Sequence, residues 1–238
     1  MCSHFIHIWN NGVLYQPPPW QYFCDCIILA VRNEDIHMLN RRILCLLCGN
    51  HQLYTSANTH SFEPGAEQHE QDISVEFLHS LNASGLPLAH LKLKEGCPII
   101  LLHNLDSKQG LGNGTRATII RMSHCILEVC LIGGNHNGKL ALIPQITLSP
   151  SIQGFNFSIN LKRRQFPVQL TFAMTINKSQ GQSVSHVGID LWVPAFLHGQ
   201  LYIALLHATS PSCVKVLLPG DTAGSYTANI VFPEILID

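Results

Sequence analysis

Apolar residues in this chain come in short bursts of four or five, and that spacing limits the fold more than any other feature. Residues 26–30 (Cys-Ile-Ile-Leu-Ala) form a run suited to a buried strand. Asn33 and Asp35 follow with helix-start chemistry. Ile36, Leu39, Ile43, Leu46 and Leu47 then recur at helical spacing until Gly49 stops the pattern. A strand followed by such a helix predicts an α/β region with a parallel sheet. Residues 55–74 are polar and turn-rich and read as a surface loop. From about residue 75 the rhythm changes. Residues 91–94 alternate, Gly96-Cys97-Pro98 turns, and apolar runs at 99–102, 117–120, 125–129 and 140–143 follow at short intervals. That pattern predicts a small antiparallel barrel inserted into the α/β region. Past residue 165 the α/β pattern resumes, with 166–174 a strand or helix, 187–191 a strand and 200–205 a helix. Residues 1–19 end in Pro17-Pro18-Pro19, a stiff connector, and read as a stub.

Composition excludes several classes of function. With 46% hydrophobic and 12% charged residues in 238, the chain is built to fold, with enough material for one or two cores. A net charge of −1 gives no global field for nucleic acid, so any such contact must come from local patches. Fourteen histidines would raise the charge at mildly acidic pH. The N-terminus has neither a basic region nor a long apolar stretch, which predicts no secretory signal. No run approaches the ~18 apolar residues that span a bilayer, so no membrane partner is expected. The nine cysteines are then expected to be reduced, in the nucleus or cytoplasm or else the mitochondrion. The sequons at Asn82, Asn113 and Asn156 carry no chemistry in that setting. Cys24, Cys26, Cys45 and Cys48, with His51 nearby, have superficial zinc spacing. Cys26 opens a strand run and Cys45 and Cys48 fall in the apolar helix, so they are expected to pack as small hydrophobes, with no metal bound.

One stretch carries chemistry. Residues 172–183 (Phe-Ala-Met-Thr-Ile-Asn-Lys-Ser-Gln-Gly-Gln-Ser) pass from an apolar run into a polar patch around a glycine, and 187–191 (Val-Gly-Ile-Asp-Leu) return to strand. Hydroxyls, amides and a lysine in eight residues suit a turn that grips a phosphate chain better than a core. Lys162, Arg163 and Arg164 are a second cationic group, read either as a DNA-backbone clamp or as a solvated turn. Gly133 to Lys139 fits the G-x-x-x-x-G-K pattern of a phosphate loop. Leu140 follows, however, where the chemistry needs a hydroxyl to hold magnesium. A strand-like run follows too, instead of a helix whose N-terminus could face phosphate. A glycine-rich hairpin turn is the better reading.

Residues 172–183 with 187–191 resemble the fifth conserved motif of Pif-one-like DNA helicases, above all those of Helitron rolling-circle transposons. The resemblance runs from about Trp20 onward. It takes in 28–35 with Leu39 and Asn40, 76–82 with 84–87, 101–106 with 111–116, and 161–168 residue for residue. It implies an α/β RecD-like second motor lobe, 2A, at 20–74 and 161–238. The inserted small antiparallel barrel, 2B, is placed at 75–160. It further implies that Thr175, Asn177, Lys178, Ser179, Gln180, Gly181 and Gln182, with Lys162, Arg163 and Arg164, contact single-stranded or forked DNA and couple it to nucleotide state. In the intact family ATP and magnesium drive unwinding in repair, recombination, telomere maintenance or Helitron transposition. Here the phosphate-loop lobe is expected to be missing, so the chain alone should bind no cofactor and be inactive.

Departures from the family pattern point the same way. His207 stands where the family has the arginine that reaches the γ-phosphate, and Leu206 where it has a serine. Val31 and Gly112 also differ. Histidine is shorter than arginine and mostly neutral at pH 7, so His207 is expected to be a non-functional finger. The alternatives are a non-enzymatic single-strand-binding or interaction module, and a decaying transposon relic.

Overall fold

The computed structural model describes residues 22–62, 74–82, 85–149, 159–182, 184–219, 227 and 229–232. The stub at 1–19, Asn156 and Ser183 lie outside them. The chain divides into two compact units, one within 1–48 and 170–238 and the other within 49–169.

The discontinuous unit is α/β. A short helix α1 (Tyr22–Asp25) leads into β1 (Cys26–Ala30), which is buried along its whole length. A strand covered on both faces needs no alternation, which is why its sequence is a plain apolar run. The sheet order is β12 (Ala173–Thr175), β1, β13 (His186–Asp190), β14 (Val214–Leu217), and every pairing is parallel. Residues 166–174, which the sequence leaves between strand and helix, hold a three-residue strand of the other unit's sheet at Val168–Leu170 and the first two residues of β12. Helix α2 (Asn33–Leu46) follows β1 and buries Ile36, Leu39, Ile43 and Leu44. Its N-cap is Arg32, one residue before the expected start, and Arg32 offers no side-chain acceptor. Arg32 pairs instead with Asp35 at 2.9 Å. Glu34 and Asp35 place negative charge in the first turn, where the helix dipole favours it. Leu46 ends the helix and is exposed, so Cys45 lies in its last turn and Cys48 beyond it.

One polar residue fixes this helix on the sheet. Asn40 is buried on the apolar face of α2. Its Nδ2 donates to the carbonyls of Leu170 and Ala173, each at 3.0 Å, and its Oδ1 accepts the Ala173 N–H at 2.8 Å. The side chain thereby joins α2 to the edge strand β12. Helix α4 (Gln200–Leu205) lies before β14 and buries Gln200 and Ala204.

The second unit is built of antiparallel sheets. Five strands run in the order β11 (Val168–Leu170), β5 (Pro98–Leu101), β6 (Arg116–Met122), β7 (Ile126–Ile132), β8 (Leu140–Pro144). Leu127, Val129 and Leu131 point inward from β7, giving it the period of two that a half-buried strand requires. A second sheet orders β3 (Ala57–Phe62), β10 (Ile159–Gln165), β9 (Ile146–Leu148), and a third pairs β2 (Gln52–Thr55) with β4 (His90–Leu93). A short helix α3 (Val75–Ser80) begins at Ser74, whose side chain caps the Phe77 N–H at 3.2 Å.

The expected surface loop at 55–74 needs correcting. Residues 57–62 form β3, which pairs with β10 from Ile159↔Phe62 to Arg164↔Ala57. Strands β2, β3 and β10 lie in the same compact unit as β4–β8, although the expected lobe spans 20–74 and 161–238.

Candidate nucleic-acid interface

Residues 175–182 leave the C-terminal end of the edge strand β12. Ile176 is fully buried, and its N–H reaches the Ala30 carbonyl at 3.3 Å, carrying the ladder one step past the strand. The chain then coils through a 3₁₀ turn at Asn177–Ser179. Thr175 Oγ1 accepts the Lys178 N–H at 3.2 Å, Ser179 Oγ donates to the Ile176 carbonyl at 2.6 Å, and the Gln182 N–H reaches the Ser179 carbonyl at 2.8 Å. Gly181 takes φ +83, a left-handed conformation that a Cβ would strain. The turn is therefore held from within.

These anchors sort the sequence-expected residues. Asn177, Lys178, Gln180 and Gly181 are exposed, and Thr175 and Gln182 are half-buried. Ser179 is the correction: it is fully buried, and its hydroxyl is committed to the turn. It shapes the loop and presents nothing to a ligand.

The group at 162–164 divides the same way. Lys162 and Arg164 are exposed, whereas Arg163 is completely buried, because successive strand residues face opposite sides. Its guanidinium donates to Asn58 Oδ1 at 3.0 Å, the Pro87 carbonyl at 3.0 Å and the Leu78 carbonyl at 2.6 Å. Burial pushes its pKa down from the ordinary value. Arg163 is a structural clamp within the antiparallel unit, and the expectation that it contacts DNA is withdrawn. Gln165, also fully buried, works beside it, donating to the Tyr54 carbonyl at 3.0 Å and accepting the Phe166 N–H at 3.0 Å.

Two basic residues beside the turn are not singled out by the sequence. His37 and Arg41 stand one turn apart on the exposed side of α2. Partial burial, and then the positive charges of Lys178 and Arg41, hold the His37 imidazole below its usual pKa. The available signal was spacing: residues i and i+4 share a face when 36, 39, 40 and 43 point inward. At the end of β13, Asp190 is buried and accepts the Trp192 N–H at 3.0 Å. Burial raises its pKa, the Trp192 N–H opposes that, Asp35 adds to it and Arg32 counters.

His207 is buried after the end of α4, with Nδ1 2.6 Å from the Ile203 carbonyl, so that ring nitrogen is tied to the residue's own helix. Leu206 beside it is 62% exposed.

The stretch 133–139 joins β7 to β8 as a hairpin loop. Its amides are used internally. The Gly133 N–H donates to Asn137 Oδ1 at 2.8 Å, the Gly138 N–H to the Leu131 carbonyl at 2.9 Å, and the Lys139 N–H to the His136 carbonyl at 3.0 Å. These residues do not fit a nucleotide phosphate. Cys45 and Cys48 are exposed and not packed as expected, and among the described residues no three His, Cys, Asp or Glu side chains gather to hold a metal.

The described residues thus build a four-stranded parallel sheet with a polar turn after its edge strand, and a separate unit of antiparallel sheets. Residues 76–122 match the 2B domain of DNA helicase Pif1. The chain is 29% identical over 194 residues to the ATP-dependent DNA helicase PIF1 of Xenopus laevis, covering 79% of this chain and 27% of that protein. It is 29% identical over 202 residues to the Pif1 helicase of Campylobacter jejuni, covering 78% and 45%. The Pif1 helicase from Bacteroides, solved in complex with ADP-AlF3 and single-stranded DNA, superposes with a TM-score of 0.63 over 97% of this chain and 50% of that one, at 19% identity. The chain is Pif1-like in sequence and in fold, and it spans between about a quarter and a half of the length of these curated relatives.

Proposed function

We propose that this chain acts as the DNA-holding second motor lobe and 2B domain of a Pif1-like helicase, binding single-stranded DNA through its backbone and hydrolysing no ATP by itself. One observation carries the reading: the turn after β12 spends its internal groups on its own geometry and leaves Asn177, Lys178 and Gln180 outward. A preorganised turn with an exposed lysine and two amides suits phosphate contacts that position a strand without reading its sequence. The Bacteroides relative, solved with single-stranded DNA, supports that ligand class. The likeness of 161–168 and 172–182 to Helitron-type helicases supports that branch of the family.

The absence of catalysis rests on the 238 residues themselves. Their sole Gly-Lys pair, Gly138-Lys139, sits in a hairpin, and both of its amides are already bonded there. The test measures ATP turnover by the purified chain and anisotropy of a labelled oligothymidylate across a salt series. Expected are no turnover and binding that weakens with salt, with a slope of about −0.7 per phosphate contacted. Turnover by the chain alone, or no binding at low salt, would remove the proposal.

A further inference from the structure

We infer that His37 and Arg41 of α2 continue the Lys178 turn into one cationic track for the sugar–phosphate backbone of a single-stranded nucleic acid. The inference rests on Lys178 being a backbone contact. The track itself follows from helix geometry. Asn40 pins α2 over Ala173 of β12. A helix that follows a parallel strand runs back along it, so residues earlier than Asn40 lie nearer the strand's C-terminal end. His37 is three residues earlier, about 4.5 Å along the helix axis. Thr175 is two residues beyond Ala173, about 6.6 Å along the strand. His37 therefore comes level with the start of the turn. At 100° per residue, His37 and Arg41 lie about 60° and 100° round from Asn40 on the same side, so both stand on one flank of the helix. That Lys178 and Arg41 both act electrostatically on His37 agrees with this placement.

Lys178 and Arg41 are two permanent positive charges on two elements, and both bear on the imidazole of His37. They repel, and the penalty is relieved when an anion lies between them. The other charged groups on this part of α2 are Glu34, one turn before His37, Asp35, which pairs with Arg32, and Arg42 beside Arg41, and the strands beneath, Cys-Ile-Ile-Leu-Ala and Ala-Met-Thr, carry no formal charge. A phosphodiester bridging Lys178 and Arg41 cancels the repulsion felt by His37 and favours its imidazolium form. Binding then takes up a proton, so affinity rises as pH falls through the ordinary histidine range near about 6.5.

The experiment titrates a labelled 15-residue oligothymidylate with the whole chain at low salt between pH 5.5 and 8, alongside thermal melts of each variant. Expected for Arg41→Ala is a two- to fivefold loss, about what an exposed charge contact is worth, with a salt slope shallower by about 0.7. His37→Gln keeps a hydrogen-bonding side chain that cannot charge, and should remove the pH dependence of binding. Arg41→Lys should retain most of the binding. If Lys178→Ala weakens binding while Arg41→Ala and His37→Gln match the parent in affinity, salt slope and pH dependence, the track is wrong and the turn's role survives. No binding by the parent chain would remove both. Displacement of the oligomer by inorganic pyrophosphate at equal phosphate concentration would assign the cations to a free phosphate and overturn the backbone track.

Discussion

Arg163 and its two neighbours carry the same charge and differ only in which way the strand points them. Lys162 and Arg164 face outward, while Arg163 is buried against Asn58, Pro87 and Leu78. Three basic residues in a row read as one patch in sequence, because charge is visible there and strand phase is not. The apolar residues bracketing them, Leu161 and Phe166, are both buried. Their offset of five places them on opposite strand faces, so they do not set the phase without the turn at Phe166. Arg163→Met would leave the Pro87 and Leu78 carbonyls buried without the donors they have now, at about 1–3 kcal/mol each, and would leave Asn58 Oδ1 only the Ser56 hydroxyl. We expect a loss of roughly 3 kcal/mol or more in urea unfolding, against a change within about 0.5 kcal/mol for Lys162→Met. Equal costs for the two substitutions would show that Arg163 is not a clamp.

Among elements, the legible ones are those whose own residues decide them. Strands β1 and β13 are apolar runs buried in a parallel sheet, and β4 and β7 alternate as half-buried strands do. The loop at 133–139 was legible too, from Leu140 and the strand behind it. Strand β3 was not, because Ala-Asn-Thr-His-Ser-Phe has turn-like composition and becomes a strand only by pairing with β10, about a hundred residues later. In the candidate site, the polar turn was legible from composition, while the inward turn of Ser179 and the arrival of α2 beside it depend on tertiary packing. Asn40 shows the same limit. A polar residue on an apolar helix face looks like an interruption, yet it ties α2 to Ala173 of β12 by two hydrogen bonds and to Leu170, the last residue of β11, by a third. Asn40→Leu, close in size but without those groups, is expected to cost about 2–4 kcal/mol. It should also speed amide exchange at Ala173 more than at Val129 in the antiparallel unit. A mutant as stable as the parent would mean that packing alone holds the helix.

At the scale of the whole molecule, the proposal that this chain holds DNA without spending ATP is supported by what the described residues build. The lobe keeps its parallel sheet and internally braced turn, whereas its single phosphate-loop lookalike is a hairpin and the arginine-finger position holds His207. On the proposed reading the substitution matters because a permanent, planar charge at the γ-phosphate is worth on the order of a thousandfold or more in related nucleotide hydrolases. The ring at 207 is buried with Nδ1 on the Ile203 carbonyl, so even a protonated histidine has one donor already engaged within its own helix. Joining this chain to the first lobe of an active Pif1 helicase tests His207 apart from the phosphate loop. With His207 in place, DNA-stimulated turnover should stay on the order of a thousandfold below that of the intact helicase. His207→Arg in the same fusion should raise it at least tenfold, while leaving the oligothymidylate affinity of the isolated chain unchanged. Normal turnover with His207 present would show that this lobe contributes no finger, and an unchanged rate in the arginine variant would place the defect elsewhere in the lobe.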